Sequence, residues 1–199
     1  MTRFQIPNPE LAALMLFWMA ALCTPRAEGS DTRPLATMAT IGAIDDESLE
    51  SATAQLDRKP AVAYLLIDSP GGSVFAGFRF IDAMREAQAA GTRIVCTVKD
   101  KGMAASMAAV ILSVCDERYM GKQSALMFHT ASLYETSGNQ WELERTAKMI
   151  ESLNARLAIT IVGRMKLSMA EYMAKVRDND WWVGWEEALA VGAIDGVAL

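Results

Sequence analysis

The stretch MAASMAAVILSVC, residues 103–115, places the hydroxyl of Ser106 among small residues at the start of a long apolar run. Small neighbours let a substrate backbone approach that hydroxyl closely. If an apolar helix begins at Ser106, the hydroxyl lies at the positive end of the helix dipole, where a developing anion is stabilised. The same pattern also suits a serine that only begins a buried helix. This stretch alone leaves both interpretations open.

A buried strand, a glycine turn and a helix precede this stretch. Residues 61–67 (AVAYLLI) are a continuous apolar run, typical of a buried parallel strand, and residues 70–72 (PGG) predict a tight turn with uncovered backbone N–H groups. An amphipathic helix is predicted over 75–90 and another strand over 93–98. This βαβ order indicates a parallel sheet, in which sites lie beyond the carboxyl ends of the strands. The glycine turn and the start of the Ser106 helix both fall there.

The rest of the folded region continues this alternation of strands and helices. Its single histidine, His129, directly follows a predicted strand, and Asp180 directly precedes a pair of tryptophans. A lone histidine is more often structural than catalytic, and such an aspartate suits a plain turn as well as an imidazole partner. The other predicted elements are a strand and turn over 36–44, strands over 117–120 and 125–128, and helices over 45–56, 138–163, 168–176 and 186–191.

Composition bounds the function classes. The chain has 199 residues, 52% of them hydrophobic, with a formal net charge of -5, which predicts one domain with a sizeable core and argues against nucleic-acid binding. With three cysteines, one histidine and no CxxC or HExxH motif, we expect no metal site. Cys96 and Cys115 lie in apolar runs and are predicted to be free thiols that act as small buried hydrophobes.

The N-terminal residues resemble a targeting segment. Residues 11–23 are an apolar run too short to span a bilayer comfortably, and they match the core of a secretory signal peptide. A membrane-anchoring or simply buried N-terminal helix is the alternative. We expect residues 1–34 to be a signal-like segment and linker and residues 35–199 to be the folded domain. Export to the periplasm, or attachment to a membrane, follows if the segment is a signal; otherwise the chain is cytoplasmic.

Four blocks of the sequence resemble the proteolytic subunits of the Clp protease (ClpP), in the family's order and at similar spacings. The blocks are IDSPGGSVFAGFRFIDAMR, KGMAASMAAVIL, ALMFHT and RDNDWWVGWEEALAVGAIDGV. The resemblance implies an α/β fold of the ClpP/crotonase type, a spiral of ββα units with a mainly parallel sheet and a long protruding helix. It departs from the family after His129, where TASLY (residues 130–134) replaces a proline and a glycine-rich stretch.

The resemblance implies a serine endopeptidase that cleaves peptides or unfolded proteins without a cofactor. Ser106 corresponds to the nucleophile, His129 to the general base and Asp180 to the acid that orients it, while the N–H groups of Gly72 and Met107 correspond to the oxyanion hole. It also implies a homo-oligomer of heptameric rings, stacked through the long helix, with active sites facing an enclosed chamber. Because the chain has no nucleotide-binding motif, any ATP dependence would come from an ATPase unfoldase partner.

Two other functions share parts of this pattern. In a Ser-Lys peptidase of the signal-peptide-peptidase type, Lys148 on the long helix would be the base in place of His129 and Asp180. If the triad is present but Asp180 is not its acid, Asp178 is the alternative. A crotonase-like acyl-CoA enzyme would use a similar oxyanion hole with no serine nucleophile. Reaction of Ser106 with a fluorophosphonate distinguishes either peptidase from the acyl-CoA enzyme or a non-catalytic scaffold.

Overall fold

The computed structural model describes residues 33–133 and 137–198. The predicted segment at residues 1–34 and the run 11–23 therefore fall almost entirely outside the described residues. Within the described part of the chain, no helix is long and apolar enough to cross a membrane.

The strands and helices predicted from the sequence are present, and the structure adds three short strands that were not predicted: Met103–Ala105, Trp181–Val183 and Gly196–Val197. In chain order the elements are β1 (Ala36–Ile41), α1 (Asp46–Asp57), β2 (Val62–Ile67), α2 (Val74–Ala89), β3 (Arg93–Val98), β4 (Met103–Ala105), α3 (Met107–Val114), β5 (Glu117–Met120), β6 (Ala125–Phe128), α4 (Gln140–Val162), α5 (Met169–Val176), β7 (Trp181–Val183), α6 (Trp185–Ala190) and β8 (Gly196–Val197).

Two sheets organise these elements. The larger has the order β1-β2-β3-β5-β8, and all of its strand pairs are parallel. The smaller has the order β4-β6-β7, with β4 and β6 parallel and β6 and β7 antiparallel. Isolated bridges join Ser69 to Ala104 and Ile44 to Gly72. The predicted α/β fold with a mainly parallel sheet and a long helix is confirmed.

Capping side chains lie at the starts of several helices, close to the helix starts that the sequence predicts. Asp45 accepts a hydrogen bond from the Ser48 N–H at the start of α1, and Ser168 and Glu171 form a capping box at the start of α5. A capping box of Asn139 and Glu142 begins α4. These side chains satisfy backbone N–H groups that the first turn of a helix leaves unpaired.

The hydrophobic core lies around α3. Every residue of α3 except Val114 is buried, because α2 and α4 both pack against this helix. On α4, in contrast, only Leu157, Ala158 and Ile161 are buried, all of them near its C-terminal end. The N-terminal half of this long helix is therefore exposed in the single chain.

A disulfide joins Cys96 in β3 to Cys115, the residue that ends α3. The two Cα atoms are 6.0 Å apart and both side chains are fully buried. The prediction of two free thiols is therefore wrong, although the predicted burial of both side chains is correct. The chain after α3 runs beside β3, where the Asp116 N–H donates to the Ile94 carbonyl at 2.9 Å, and this brings together two cysteines separated by 19 positions in the sequence.

Candidate active site

Ser106 lies between β4 and α3 in an unusual backbone conformation. Its φ is 55° and its ψ is -125°, a region that costs a non-glycine residue about 1–3 kcal/mol and persists only when the surroundings impose it. Its N–H donates to the Met127 carbonyl at 2.9 Å. Its side chain makes no capping hydrogen bond to α3. The simpler interpretation, a serine whose hydroxyl only caps a buried helix, does not describe this side chain.

His129 lies next to Ser106 because of the strand pairing in the smaller sheet. β4 and β6 are parallel, with Ala105 opposite Met127, so the residues that follow the two strands emerge at the same edge. There, His129 Nε2 lies 2.6 Å from Ser106 Oγ. This separation is that of a hydrogen bond, in which the hydroxyl donates to Nε2 when the imidazole carries its proton on Nδ1.

Asp180 approaches the other ring nitrogen of His129. β6 and β7 are antiparallel, with Phe128 opposite Trp181, and this register places the residue before β7 beside the residue after β6. The Asp180 Oδ1 atom lies 3.5 Å from His129 Nδ1, longer than a good hydrogen bond. The side chains of His129 and Asp180 are 28% and 55% exposed, respectively.

Aromatic side chains support the strand pair that carries His129 and Asp180. The Phe128 ring lies 5.4 Å from the Trp181 ring, and Tyr172 of α5 contacts both rings at 6.2 and 6.3 Å between centroids. Burial raises the pKa of Tyr172 well above its ordinary value, so its ring stays neutral. The Trp181 indole N–H donates to Glu187 at 3.2 Å. The cluster thus anchors α5 and α6 to the β6–β7 pair.

The glycine turn after β2 packs directly against Ser106. Gly71 has a φ of 96°, and a Cβ atom there would lie 2.6 Å from the Ser106 Cβ and 3.2 Å from the Met107 nitrogen. Gly72 has a φ of 148°, and the residues on either side of it bond to Ile44. The Gly71 carbonyl accepts from the Ile44 N–H, and the Ser73 N–H donates to the Ile44 carbonyl. Within residues 33–133 and 137–198, no acceptor pairs with the N–H of Gly72 or that of Met107. One free backbone donor therefore lies in the turn, at Gly72, and another at the start of α3, at Met107.

A small apolar cavity of about 20 Å³ adjoins Ser106 and His129. Val74, Met107, Val110, Phe128, Ala131, Leu157 and Ile161 line the rest of it. Sequence reasoning did not identify this cavity, because its lining comes from four separate segments that no local motif connects.

Asn154 is a further residue that sequence reasoning missed. It lies on α4, one turn before the cavity-lining Leu157, and its Oδ1 atom accepts a hydrogen bond from the Ala131 N–H at 2.6 Å. Ala131 belongs to the loop that follows His129. The only signal in the sequence is a polar residue on the apolar side of an amphipathic helix.

Lys148 and Asp178, the alternative base and the alternative acid, have no described contact with Ser106 or His129. Lys148 and Asp178 are both exposed. In the described part of the chain, no group of three or more histidine, cysteine, aspartate or glutamate side chains is arranged to hold a metal ion.

Comparison with known proteins agrees with this geometry. The model of the Clp protease family matches residues 36–199. The chain belongs to the Clp protease family.

Named relatives support this membership. The chain is 32% identical over 165 residues to the ATP-dependent Clp protease proteolytic subunit of Bacteroides thetaiotaomicron, covering 78% of this chain and 71% of that protein. It is 33% identical over 136 residues to proteolytic subunit 1 of Chlamydia muridarum, covering 66% and 67%, and 30% identical over 161 residues to proteolytic subunit 2 of Bacillus licheniformis, covering 77% and 80%.

Family membership makes the chain a serine-type peptidase and confirms the resemblance recognised in its sequence motifs. It gives no support to the crotonase-like acyl-CoA alternative. In this Clp-family peptidase, the described hydrogen-bond partner of Ser106 Oγ is the His129 imidazole, whereas the Lys148 side chain is exposed on α4.

Proposed function

We propose that this Clp-family chain is an endopeptidase in which Ser106, His129 and Asp180 act as a catalytic triad. The observation that carries the proposal is the 2.6 Å separation of Ser106 Oγ and His129 Nε2. A serine hydroxyl becomes an effective nucleophile when an imidazole takes its proton, and the imidazole needs a partner that holds its tautomer. Asp180 supplies that partner in the proposed mechanism.

The reaction proceeds in two halves. Ser106 Oγ attacks the scissile carbonyl carbon while His129 Nε2 takes the hydroxyl proton, and the carbonyl oxygen becomes an oxyanion. His129 then passes the proton to the leaving amine as the peptide bond breaks, which leaves an acyl-enzyme. Water, activated by His129, hydrolyses the ester and restores Ser106.

The N–H groups of Gly72 and Met107 stabilise the oxyanion in this proposal. Met107 directly follows Ser106, Gly72 directly follows Gly71, which closely approaches Ser106, and both N–H groups lack a protein acceptor within the described residues. Two backbone donors held in a rigid turn and at a helix start need no reorganisation when charge develops. The Ser69 hydroxyl, itself buried, accepts from the Gly71 N–H at 3.1 Å and holds the turn in place.

The substrates are peptides or unfolded proteins, cleaved after a modest apolar side chain. The cavity beside Ser106 is lined almost entirely by aliphatic side chains, methionine and phenylalanine, and it is small. Such a cavity favours a small apolar side chain, such as that of alanine, on the residue at the acyl side of the cleaved bond. A charged substrate side chain would lose its hydration in this cavity without gaining a partner of opposite charge, which is unfavourable.

We further propose a homo-oligomer of stacked rings, heptameric by the family resemblance. Trp141, Leu143, Met149 and Ile159 on α4 are 66%, 43%, 43% and 64% exposed, respectively. A groove of about 640 Å³ between α4 and α5 has a largely apolar lining. Exposed apolar surface on this scale is typical of an interface. An enclosed chamber would keep folded proteins away from the active sites.

The name of the Bacteroides relative describes an ATP-dependent protease subunit. For this chain, we propose an ATPase unfoldase as partner. Location in an oxidising compartment such as the periplasm is proposed if residues 1–34 act as a signal. The Cys96–Cys115 disulfide supports that location, because structural disulfides persist outside the reducing cytosol. A cytoplasmic location follows if the segment is not a signal.

Fluorophosphonate labelling of the purified chain tests the proposed nucleophile. The reagent should form one adduct, located on Ser106 by peptide mass spectrometry. Ser106→Ala should abolish both the adduct and peptide hydrolysis while leaving the circular dichroism spectrum unchanged. Hydrolysis retained by Ser106→Ala at near the wild-type rate would refute the proposal.

A further inference from the structure

The Cys96–Cys115 disulfide closes a loop of chain that contains the site's central residue. The loop includes the end of β3, the turn into β4, Ser106, Met107 and all of α3. Ser106 lies roughly midway along it. The bond therefore ties the far end of α3 to β3, the strand before β4 in the chain.

Ser106 needs such support because its backbone is strained. A positive φ at a residue with a side chain is maintained only when neighbouring structure over-determines it. Besides the His129 contact to its hydroxyl and the hydrogen bonds that its carbonyl accepts within α3, two contacts hold Ser106: the hydrogen bond from its N–H to the Met127 carbonyl and the close approach of Gly71. Both can relax if α3 shifts along its axis. A covalent link between the end of α3 and β3 opposes that shift.

The environment of the sulfurs indicates a permanent bond. Cys96 and Cys115 are each 0% exposed, and both belong to the main hydrophobic core. Thiol–disulfide exchange requires a thiolate to reach one of the two sulfurs, and this core excludes it in the folded state. A buried, inaccessible disulfide suits a structural brace and does not suit a reversible switch.

We propose that the Cys96–Cys115 disulfide is a positioning brace for the Ser106 segment, so that the disulfide-bonded chain is the fully active peptidase. The inference rests on the proposed role of Ser106 as nucleophile. It extends that role to two residues that touch neither the substrate nor Ser106 and that act through the placement of α3.

The test compares labelling rates of folded proteins at 25 °C. Intact-mass analysis after alkylation under denaturing, non-reducing conditions should find Cys96 and Cys115 unmodified in the active wild-type chain. Cys96→Ala/Cys115→Ala should melt about 6–12 °C lower, as expected for losing a cross-link over a loop of this length. Its second-order rate of fluorophosphonate labelling should fall about tenfold or more, because small misplacements of a nucleophile are costly.

Leu112→Ala is the matched control. Leu112 is buried on α3, and its truncation lowers stability while the disulfide stays intact. We expect this variant to melt lower and yet to be labelled within about twofold of the wild-type rate at 25 °C, since the brace is still present. Cys96→Val/Cys115→Ala, which refills part of the core volume, replaces the first double variant if that protein does not fold.

The outcomes separate the inference from the proposed function. Wild-type labelling rates in a folded double variant, equal slowing in the double variant and Leu112→Ala, or alkylated Cys96 and Cys115 in the active chain would each overturn the brace. Absence of any Ser106 adduct in the disulfide-bonded wild-type chain is a different result, because it refutes the proposed nucleophile and the brace with it.

Discussion

Phe128 and Trp181 face each other across the antiparallel β6–β7 pair, and their rings lie 5.4 Å apart. This pairing brings His129 beside Asp180, because His129 directly follows Phe128 in the chain and Asp180 directly precedes Trp181. The 51 positions between His129 and Asp180 in the sequence are thus bridged by one strand register. A shift of that register by one residue would turn the side chains to opposite faces of the sheet.

The triad predicts unequal effects of its substitutions. His129→Ala should lower kcat/KM for a peptide substrate by about 10⁶-fold and Asp180→Asn by about 10⁴-fold, because base and orienting group act as one unit with the nucleophile. Lys148→Ala and Asp178→Asn, on exposed side chains, should change the rate by less than about twofold. Loss of activity in Lys148→Ala with activity retained in His129→Ala would favour the Ser-Lys mechanism.

The hydrogen bond from the Ala131 N–H to Asn154 Oδ1 joins α4 to the loop that follows His129, and we expect activity to depend on it. Asn154→Leu removes the acceptor of the Ala131 N–H and should lower kcat/KM about tenfold, which corresponds to about one hydrogen bond. Asn154→Asp keeps an acceptor at the same position and should retain most of the activity. Glu151→Gln, a change on the same helix, is the control. Equal losses in the Leu and Asp variants would contradict a role for the acceptor.

The ion pair of Asp195 with Arg118 makes the stability of the fold depend on pH. Hydrogen bonds and charge from Arg118 hold the pKa of the Asp195 carboxyl below its ordinary value of 3.8. Because the pKa is lower in the folded chain, the stabilisation is present above about pH 4 and is lost as the pH falls through the folded-state pKa.

Asp195→Asn is the corresponding variant. It leaves Arg118, which is 3% exposed, without its counter-ion. The loss at pH 7 should be about 2 kcal/mol, at the low end for buried pairs because Asp195 is itself 38% exposed. The difference from wild type should shrink toward pH 3. Urea unfolding at pH 7, 5 and 3 measures this, with the exposed Asp82→Asn as control. A pH-independent difference would contradict the assignment.

The exposed face of α4 predicts assembly. Ile159→Glu places a charge on a residue that is 64% exposed and lines the groove between α4 and α5, and it should shift the assembly to smaller species with lower peptidase activity. Ile159→Val keeps the apolar surface and should assemble normally. Size exclusion with light scattering distinguishes the two variants. A monodisperse wild-type monomer with full activity would refute the proposed assembly and the expectation that activity depends on it.

Local pattern was enough to predict every helix and the five longer strands, but not the short strands β4, β7 and β8. The run at residues 61–67 and the glycines after it predict a strand and a turn, and the structure has β2 and the Gly71–Gly72 turn there. The roles of Ser106, His129 and Asp180 came from the family resemblance of the short motifs around them, and of the three only His129 directly follows a predicted strand. Such signals depend on a few neighbouring residues, so they are readable without a fold.

Three features needed the tertiary structure, since each depends on how distant segments pack. The Cys96–Cys115 bond forms because the chain after α3 runs beside β3, whereas the sequence indicates only that both side chains are buried. Asn154 acquires its role because α4 passes beside the loop after His129. The burial of only the C-terminal part of α4 is likewise invisible in its amphipathic pattern, because periodicity shows which side of a helix is apolar and not what covers it.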